Sequence, residues 1–409
     1  MAWLRTLTRK FADDRSGAIA IMFVLVLIIF VCIIGVGIDM GRAQRASAEV
    51  VGSIDSAALA GAKGLVEDDL TDRQVRELVV HYLEAELGHG ELRGASYSGL
   101  TVVTDASDGS VAIDVDIHVP TTFTRIANSQ TIDFHKFAKT AYRVKNVELA
   151  MVLDTTGSMG NFNKIDEMKV AAAQAIDILL PAGKPALNRI ALAPFSASVN
   201  VTPYSNAVSG GLSANCVVER PGADAYNDVS GAASPVGTAA VGTCPAQTII
   251  PLSKDAVMLK NQVNAYMQAG GTAGQIGLAW GWYLISPNWN GLWPTASKPK
   301  PYADPKAIKA ILLMTDGMFN TAYFNDTSPA QAALLCDAIK AQGITIYAVG
   351  FELALNNPPE DVNSVTLLTA CASDDGAGGK EFYNATNGSD LSAAFTTIAG
   401  KMMALRLTE

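Results

Sequence analysis

The larger, carboxyl-terminal part of this chain is expected to be an α/β fold with a doubly wound, mainly parallel sheet, preceded by a transmembrane helix and a small α+β unit. Three observations predict this. Apolar, strand-like runs at 148–153, 189–195, 309–315 and 344–350 are separated by helical patterns, and such alternation implies crossover connections and a parallel sheet. Residues 17–38 carry no charged side chain. Between these regions Val111, Ile113, Val115, Ile117 and Val119 alternate with Ala112, Asp114, Asp116 and His118, the period of a half-buried strand. At 409 residues the chain is long enough for more than one core, and a content of 49% hydrophobic and 17% charged residues suits a folded protein. The formal charge of -9, without a Lys/Arg cluster, argues against nucleic-acid binding.

Residues 1–16 read as a cytoplasmic tail and 17–38 as a membrane span. As a helix, Gly17–Ile38 would be about 33 Å long, against a hydrocarbon core of about 30 Å. A cleaved signal peptide is the rival reading, but its apolar region is usually about 7 to 15 residues long and ends in a small-residue cleavage motif. Here the run is longer and leads into Asp39-Met40-Gly41-Arg42. Arg5, Arg9, Lys10 and Arg15 precede the span, whereas Arg42 and Arg45 follow it, and that excess keeps the amino end in the cytoplasm. Everything beyond Ile38 then lies outside.

Residues 39–145 read as a helical and α+β stalk. Ser47, Val51, Ile54, Ala58, Ala62 and Leu65 recur at spacings of three or four, so the helix continues outward with one packing face, which serves either its own domain or a partner helix. Thr71 and Gln74 form a capping box ahead of Val75, Leu78, Val79 and Tyr82, and Gly88 is the expected stop. Strands over 101–104 and 111–119 flank an Asp108-Gly109 turn, and a further strand is expected over about 130–144. Asp114 and Asp116 fall on the wet face of their strand rather than in a metal site.

In residues 146–405, Asn163 is expected to cap a helix that begins at Lys164 and turns Ile165, Met168, Ala172, Ile176 and Leu179 inward. Helices at about 361–371 and 390–404 close the domain. The stretch of about 202–250 is rich in Gly, Ala, Ser, Asn and Pro and fits no period, so it reads as a long surface insertion. Cys32 lies in the span, which leaves Cys216, Cys244, Cys336 and Cys371 with three pairings open to them. Cys216 with Cys244 would bracket the insertion, and Cys336 with Cys371 would join consecutive helices; this is the expected pairing. Zinc ligation is the rival, without a C-x-x-C to support it, and free buried thiols are the third reading.

Three oxygen-rich segments read as one metal site. Asp154-Thr155-Thr156-Gly157-Ser158 and Thr315-Asp316-Gly317 each follow an apolar run, and Gly270-Gly271-Thr272 lies between them in sequence. An open α/β sheet binds its ligands beyond the carboxyl ends of its strands. Asp154 and Asp316 supply charge, and Thr156, Ser158 and Thr272 supply neutral hydroxyl oxygens, a set that suits a hard divalent cation: Mg²⁺, with Mn²⁺ and Ca²⁺ as alternatives. With two carboxylates the ion stays electrophilic, so an Asp or Glu carboxylate from a protein partner would complete it. Each segment alone is a weak signal, because an Asp after a strand is commonly a turn or helix cap. Catalysis is not expected, since no His follows His135 to act as base for Ser158 and no G-x-x-x-x-G-K-[ST] loop is present.

The segments resemble the metal-ion-dependent adhesion site of von Willebrand factor type A domains, a D-x-S-x-S pattern with a later Thr and a later Asp. By position the resemblance makes Asp154, Thr156, Ser158, Thr272 and Asp316 the ligands, with Thr156 keeping the hydroxyl of the usual Ser. It also takes in Arg189-Ile190-Ala191-Leu192-Ala193-Pro194-Phe195-Ser196. The amino-terminal part, with Arg15-Ser16-Gly17-Ala18-Ile19-Ala20, the apolar span, Asp39-Met40-Gly41-Arg42 and Asp55-Ser56-Ala57-Ala58-Leu59-Ala60, resembles TadE/TadG-like proteins of tight-adherence (Flp) pilus assembly. Ile21 stands where pilin relatives carry the Glu of a processing site, so polymerisation as a pilin is not expected. Together the resemblances imply a TadG-like pilus-assembly or adhesion protein, single-pass in a bacterial inner membrane, with most of the chain periplasmic or extracellular and a pilus or envelope component as partner. A structural envelope scaffold, in which the metal only braces the fold, is the alternative.

Overall fold

A computed structural model describes residues 17–68, 70–87, 94–105, 109–142, 145–183, 187–212, 215–238, 244–353 and 358–405. The tail 1–16, Gly88 and Asp108 lie outside the described residues. The chain divides into two compact units, Met1–Arg143 and Val144–Glu409.

The first unit begins with helix α1, Gly17–Glu67. Its first part is long and apolar enough to cross a membrane, and there the side chains from Ile21 to Ile34 stand exposed on all sides. Beyond Asp39 the same helix buries Ala43, Ala46, Val50, Ile54, Ala57, Ala58, Ala62 and Leu65. The expected seam is therefore correct from Ile54 onward and off by one position before it: Ser47 is half-buried and Val51 exposed, while Ala46 and Val50 take the inner places. A straight helix drifts slowly against any fixed spacing, so a seam extrapolated over several turns slides by a residue. Helix α2, Asp72–Leu87, packs on it. Its capping box is formed, with the Thr71 N–H donating to Gln74 Oε1 at 2.9 Å and the Gln74 N–H to Thr71 Oγ1 at 3.4 Å.

Strands β1 (Ser96–Asp105), β2 (Ser110–Pro120) and β3 (Thr131–Ala141) form an antiparallel sheet in that order. Val111, Ile113, Val115, Ile117 and Val119 are buried with the α1 seam, so the alternation read from the sequence is the core face of β2. The opposite face is a polar ladder. His135 Nδ1 lies 3.0 Å from the accepting Asp116 Oδ1, and His118 lies 2.8 Å from both Asp133 and Ser98. Gly109 closes the β1–β2 turn at φ +64°, where a Cβ would come within 2.6 Å of the Tyr142 carbonyl oxygen.

The second unit is a mainly parallel sheet flanked by helices, as predicted, and it has six strands. Its strands are β4 (Asn146–Asp154), β5 (Arg189–Phe195), β8 (Ile250–Ser253), β9 (Ala307–Thr315), β10 (Thr345–Phe351) and β11 (Phe382–Ala385), in the spatial order β11-β10-β9-β4-β5-β8. Only β8 runs antiparallel to its neighbour. The short β8 and β11 escaped the sequence reading, because four-residue edge strands carry too little periodicity. β8 also holds Pro251, a residue that edge strands tolerate. Along β4 the side chains divide by parity: Ala150 and Val152 enter one core layer, Val147, Leu149, Met151 and Leu153 the other.

Helices α3 (Lys164–Leu179), α5 (Ala256–Asn264) and α9 (Gly388–Leu405) cover the second layer, while α6 (Gly274–Ile285), α7 (Ser328–Ala341) and α8 (Pro358–Cys371) lie on the first. Helix α3 begins at Lys164 as expected, but Asn163 does not cap it: it takes a left-handed φ of 62°, and its side chain makes no capping hydrogen bond. The cause is the 3-10 segment Gly157–Asn163, which delivers the chain to the helix and uses Asn163 as a reversing link.

Every residue of α6 is buried. Gly277 and Gly281 let it lie directly on the sheet, since a Cβ at 281 would fall 2.4 Å from Val152 Cγ2 and one at 277 would meet the Phe195 ring at 2.5 Å. Its outer side is closed by the region that the sequence marked as a surface insertion. Within it the short helix α4 (Ser205–Val208), strand β7 (Cys216–Val217), Val218 and Val236 join the same core, as does strand β6 (Val199–Asn200) just before it. That expectation is corrected, because the polar composition hid two anchors. The Arg220 guanidinium lies 5.2 Å from the Tyr283 ring centroid and donates to the Val229 carbonyl at 2.8 Å. Asp228 accepts from Ser286, from Asn288 at 2.9 Å and from Tyr302 at 2.5 Å. Both expected disulfides are present, Cys216–Cys244 within the insertion and Cys336–Cys371 between α7 and α8.

Candidate functional site

Strands β4 and β9 are neighbours at the centre of the sheet, and from them the chain proceeds to opposite sides, β5 on one and β10 on the other. This is the topological switch point, where the connecting loops diverge and leave a crevice beyond the strand ends. Asp154 ends β4, and Asp316 follows β9. The expected carboxylates thus come from adjacent strands.

Asp154 is fully buried. Its Oδ1 accepts the Thr156 N–H at 2.8 Å, and its Oδ2 accepts the Thr315 hydroxyl at 2.6 Å. The Thr156 and Ser158 hydroxyls are 3.0 Å apart, and Ser158 donates to Asp316 Oδ1 at 2.7 Å. Asp154, Thr156, Ser158 and Asp316 therefore form one connected polar cluster. The Gly270 loop docks on it: the Gly157 N–H donates to the Gly270 carbonyl at 2.9 Å, and the Ala269 N–H to the Thr155 carbonyl at 2.8 Å. Thr272 follows in the same loop and is buried. Its N–H donates to Asn320 Oδ1 at 2.9 Å, and its carbonyl accepts the Asn320 and Thr321 N–H groups. Among the described residues, no hydrogen bond joins the Thr272 hydroxyl to the other four side chains.

Three participants were missed from the sequence. Lys164 places its Nζ 3.2 Å from Asp316 Oδ2; Thr315 holds Asp154; Asn320 holds the Thr272 backbone. Thr315 sat inside a segment already singled out, but nothing in the local pattern assigns its hydroxyl to a residue 161 positions earlier. Burial, and then the negative charge of Asp316, push the Asp154 carboxyl up to about 7. Among the described residues, Asp154 is in no ion pair with a basic side chain, whereas Asp316 has Lys164. A buried carboxylate without a counter-ion, beside a second carboxylate and neutral hydroxyls, is a donor set that fits a hard divalent cation.

In the first unit Ser98, His118 and Asp133 are hydrogen-bonded in series. The register pairs His118 with Asp133 directly across β2 and β3, so this series belongs to the polar ladder of an open sheet face.

Residues 17–64 match the family described as putative Flp pilus-assembly TadE/G-like. Among solved structures, the chain is similar to the von Willebrand factor domain of the type V pili tip protein Mfa5 from Porphyromonas gingivalis, with a TM-score of 0.42 and 14% identity over 65% of this chain and 97% of that one. It is also similar to the pilus adhesin SpaC from Lactobacillus rhamnosus GG, with a TM-score of 0.42 and 12% identity over 76% of this chain and 35% of that one. For the PilB minor pilin from Streptococcus sanguinis the TM-score is 0.38 and the identity 14%, over 78% and 80%. Among the curated proteins none matches the sequence.

Proposed function

We propose that this is a membrane-anchored pilus-assembly or adhesion protein that binds a protein partner through a divalent cation at the end of β4 and β9. Asp154, Thr156, Ser158, Thr272 and Asp316 hold the ion, Mg²⁺ before Mn²⁺ or Ca²⁺, and an Asp or Glu carboxylate of the partner completes it. The chain crosses a bacterial inner membrane once, its amino end is cytoplasmic, and the bulk of the chain beyond Ile38 faces the periplasm or exterior. The observation that carries the reading is Asp154: a fully buried carboxylate at the sheet's switch point with a second carboxylate beside it and, among the described residues, no basic partner of its own. The match over residues 17–64 supports the pilus-assembly part.

When bound, the ion supplies an electrophilic centre for the incoming carboxylate. The chain's own residues do the rest: Thr315 orients Asp154, Ser158 orients Asp316, and the Asn320 amide fixes the Thr272 backbone. Direct hydrogen bonds already tie the Gly157 and Gly270 loops together, and Lys164 already pairs with Asp316.

The test is capture of envelope components by the full-length chain in detergent, with Mg²⁺ and with chelator, beside Asp154→Ala. The expected result is a captured component lost in chelator, restored by Mg²⁺ and lost in the variant, while the variant keeps the thermal transition of its second unit, measured without Mg²⁺, within a few degrees. Capture that is indifferent to chelator and to the variant would reject the metal-bridged reading.

A further inference from the structure

Gly35 lies four residues before Asp39, within the uncharged part of α1, where Ile33, Ile34, Val36 and Ile38 are all strongly exposed. Gly35 alone among these neighbours is covered, and what covers it is Phe123 from the loop between β2 and β3: a Cβ at position 35 would lie 2.6 Å from Phe123 Cβ. Phe123 itself remains 39% exposed. The loop is fastened there. The buried Asp39 carboxylate accepts the N–H groups of Thr122, Phe123 and Thr124 at 3.0, 2.8 and 2.7 Å, and the Thr124 hydroxyl at 3.0 Å. Arg42 donates to the Thr122 hydroxyl at 2.8 Å, and the Thr121 hydroxyl closes the loop on the Ser129 carbonyl at 2.6 Å.

Asp39 is the first charged residue past the apolar run, so it marks the level where a span leaves hydrocarbon. Gly35 is about 6 Å nearer the membrane by helical rise. A phenyl ring packed at Gly35 is therefore below the level of Asp39, among the exposed Ile and Val side chains of the span. Exposed Arg125 follows two residues later, on the loop's one-turn 3-10 helix. An aromatic ring at the acyl boundary with arginine at headgroup height is the arrangement by which peripheral segments hold a lipid surface.

We propose that residues 121–130 form a second membrane contact, in which Phe123 enters the outer edge of the bilayer beside α1 and Arg125 meets lipid phosphates. This rests on the span reading above, and it adds that the first unit sits directly on the lipid surface at a height fixed by Asp39. Continuity with the exposed apolar side chains of α1 makes lipid the occupant of this patch.

The test uses the full chain in phospholipid nanodiscs, with an environment-sensitive fluorophore at single cysteines introduced as Phe123→Cys, Arg125→Cys or Val103→Cys in a Cys32→Ala background. Native Cys32, exposed in the apolar run, is labelled separately as the reference. Val103 is 64% exposed and lies on β1, paired with Ala112 towards the end of β2 away from the loop. Lipids spin-labelled near the headgroup should quench the probes at 123 and 125 at least threefold more than the probe at 103, with aqueous iodide showing the opposite order. Arg125→Cys leaves the Phe123–Gly35 contact in place, so the inference stays testable where Phe123→Cys unsettles the loop. Equal quenching at 123, 125 and 103, with Cys32 still quenched by lipid, would overturn this contact and leave the span standing; loss of lipid quenching at Cys32 would overturn both.

Discussion

Asp154 combines two properties that rarely coexist: complete burial and the neighbourhood of a like charge. In the metal-free chain its carboxyl holds a proton up to about 7, whereas an unfolded aspartate releases it near 3.8. Between those values the unfolded chain binds fewer protons than the folded one, so metal-free stability falls as pH rises through that window. Binding of the proposed cation would have the opposite dependence, because the ion competes with the proton. Mg²⁺ affinity, followed calorimetrically at pH 5.5, 6.5 and 7.5, should rise by up to about tenfold per unit and level off above about 7. A flat profile would overturn either the raised Asp154 carboxyl or its place among the proposed ligands. The candidate donors were legible in the sequence because D-x-T-x-S and Thr-Asp-Gly are local patterns that follow apolar runs, with Gly-Gly-Thr between them. Lys164, Thr315 and Asn320 were not, since each gains its role from a residue far along the chain.

At the scale of elements, the strands and helices that fill the two core layers were readable, since each carries a long period of two or of three to four. What failed was decided by contacts. Asn163 has a capping residue's chemistry but a linking residue's backbone, and the insertion's buried valines are too sparse to give a period. Helix α6 offers a direct test of close approach. Gly281→Ala puts a methyl group 2.4 Å from Val152 Cγ2, and overpacking of this kind costs about 1–3 kcal/mol, against roughly 1 kcal/mol gained in helix propensity. The variant should melt several degrees below the parent in circular dichroism. Gly291→Ala, with nothing within 4 Å of the added carbon, should not. Equal melting of the two would mean that α6 can lift from the sheet without cost.

At the scale of the whole molecule, each unit has its own core: the α1 seam with β2 in the first, and the two layers around the six-stranded sheet in the second. Separate cores unfold as separate cooperative units. Scanning calorimetry of the full chain should resolve two transitions, of which Mg²⁺ raises only the one belonging to the second unit, since a ligand stabilises what it binds. A single transition, or a shift of both, would show that the two cores are thermodynamically one. The division was visible in the sequence as a change of pattern near residue 145, from strand alternation to buried apolar runs.

Pro251 has a consequence for how this molecule can join others. Fibres that grow by lending a strand to a neighbour's sheet need an unbroken row of amide hydrogens along the receiving border. β8 forms that border on one flank of the sheet, and at Pro251 one rung is chemically missing. Pro251 therefore counts against that flank as an acceptor for strand exchange.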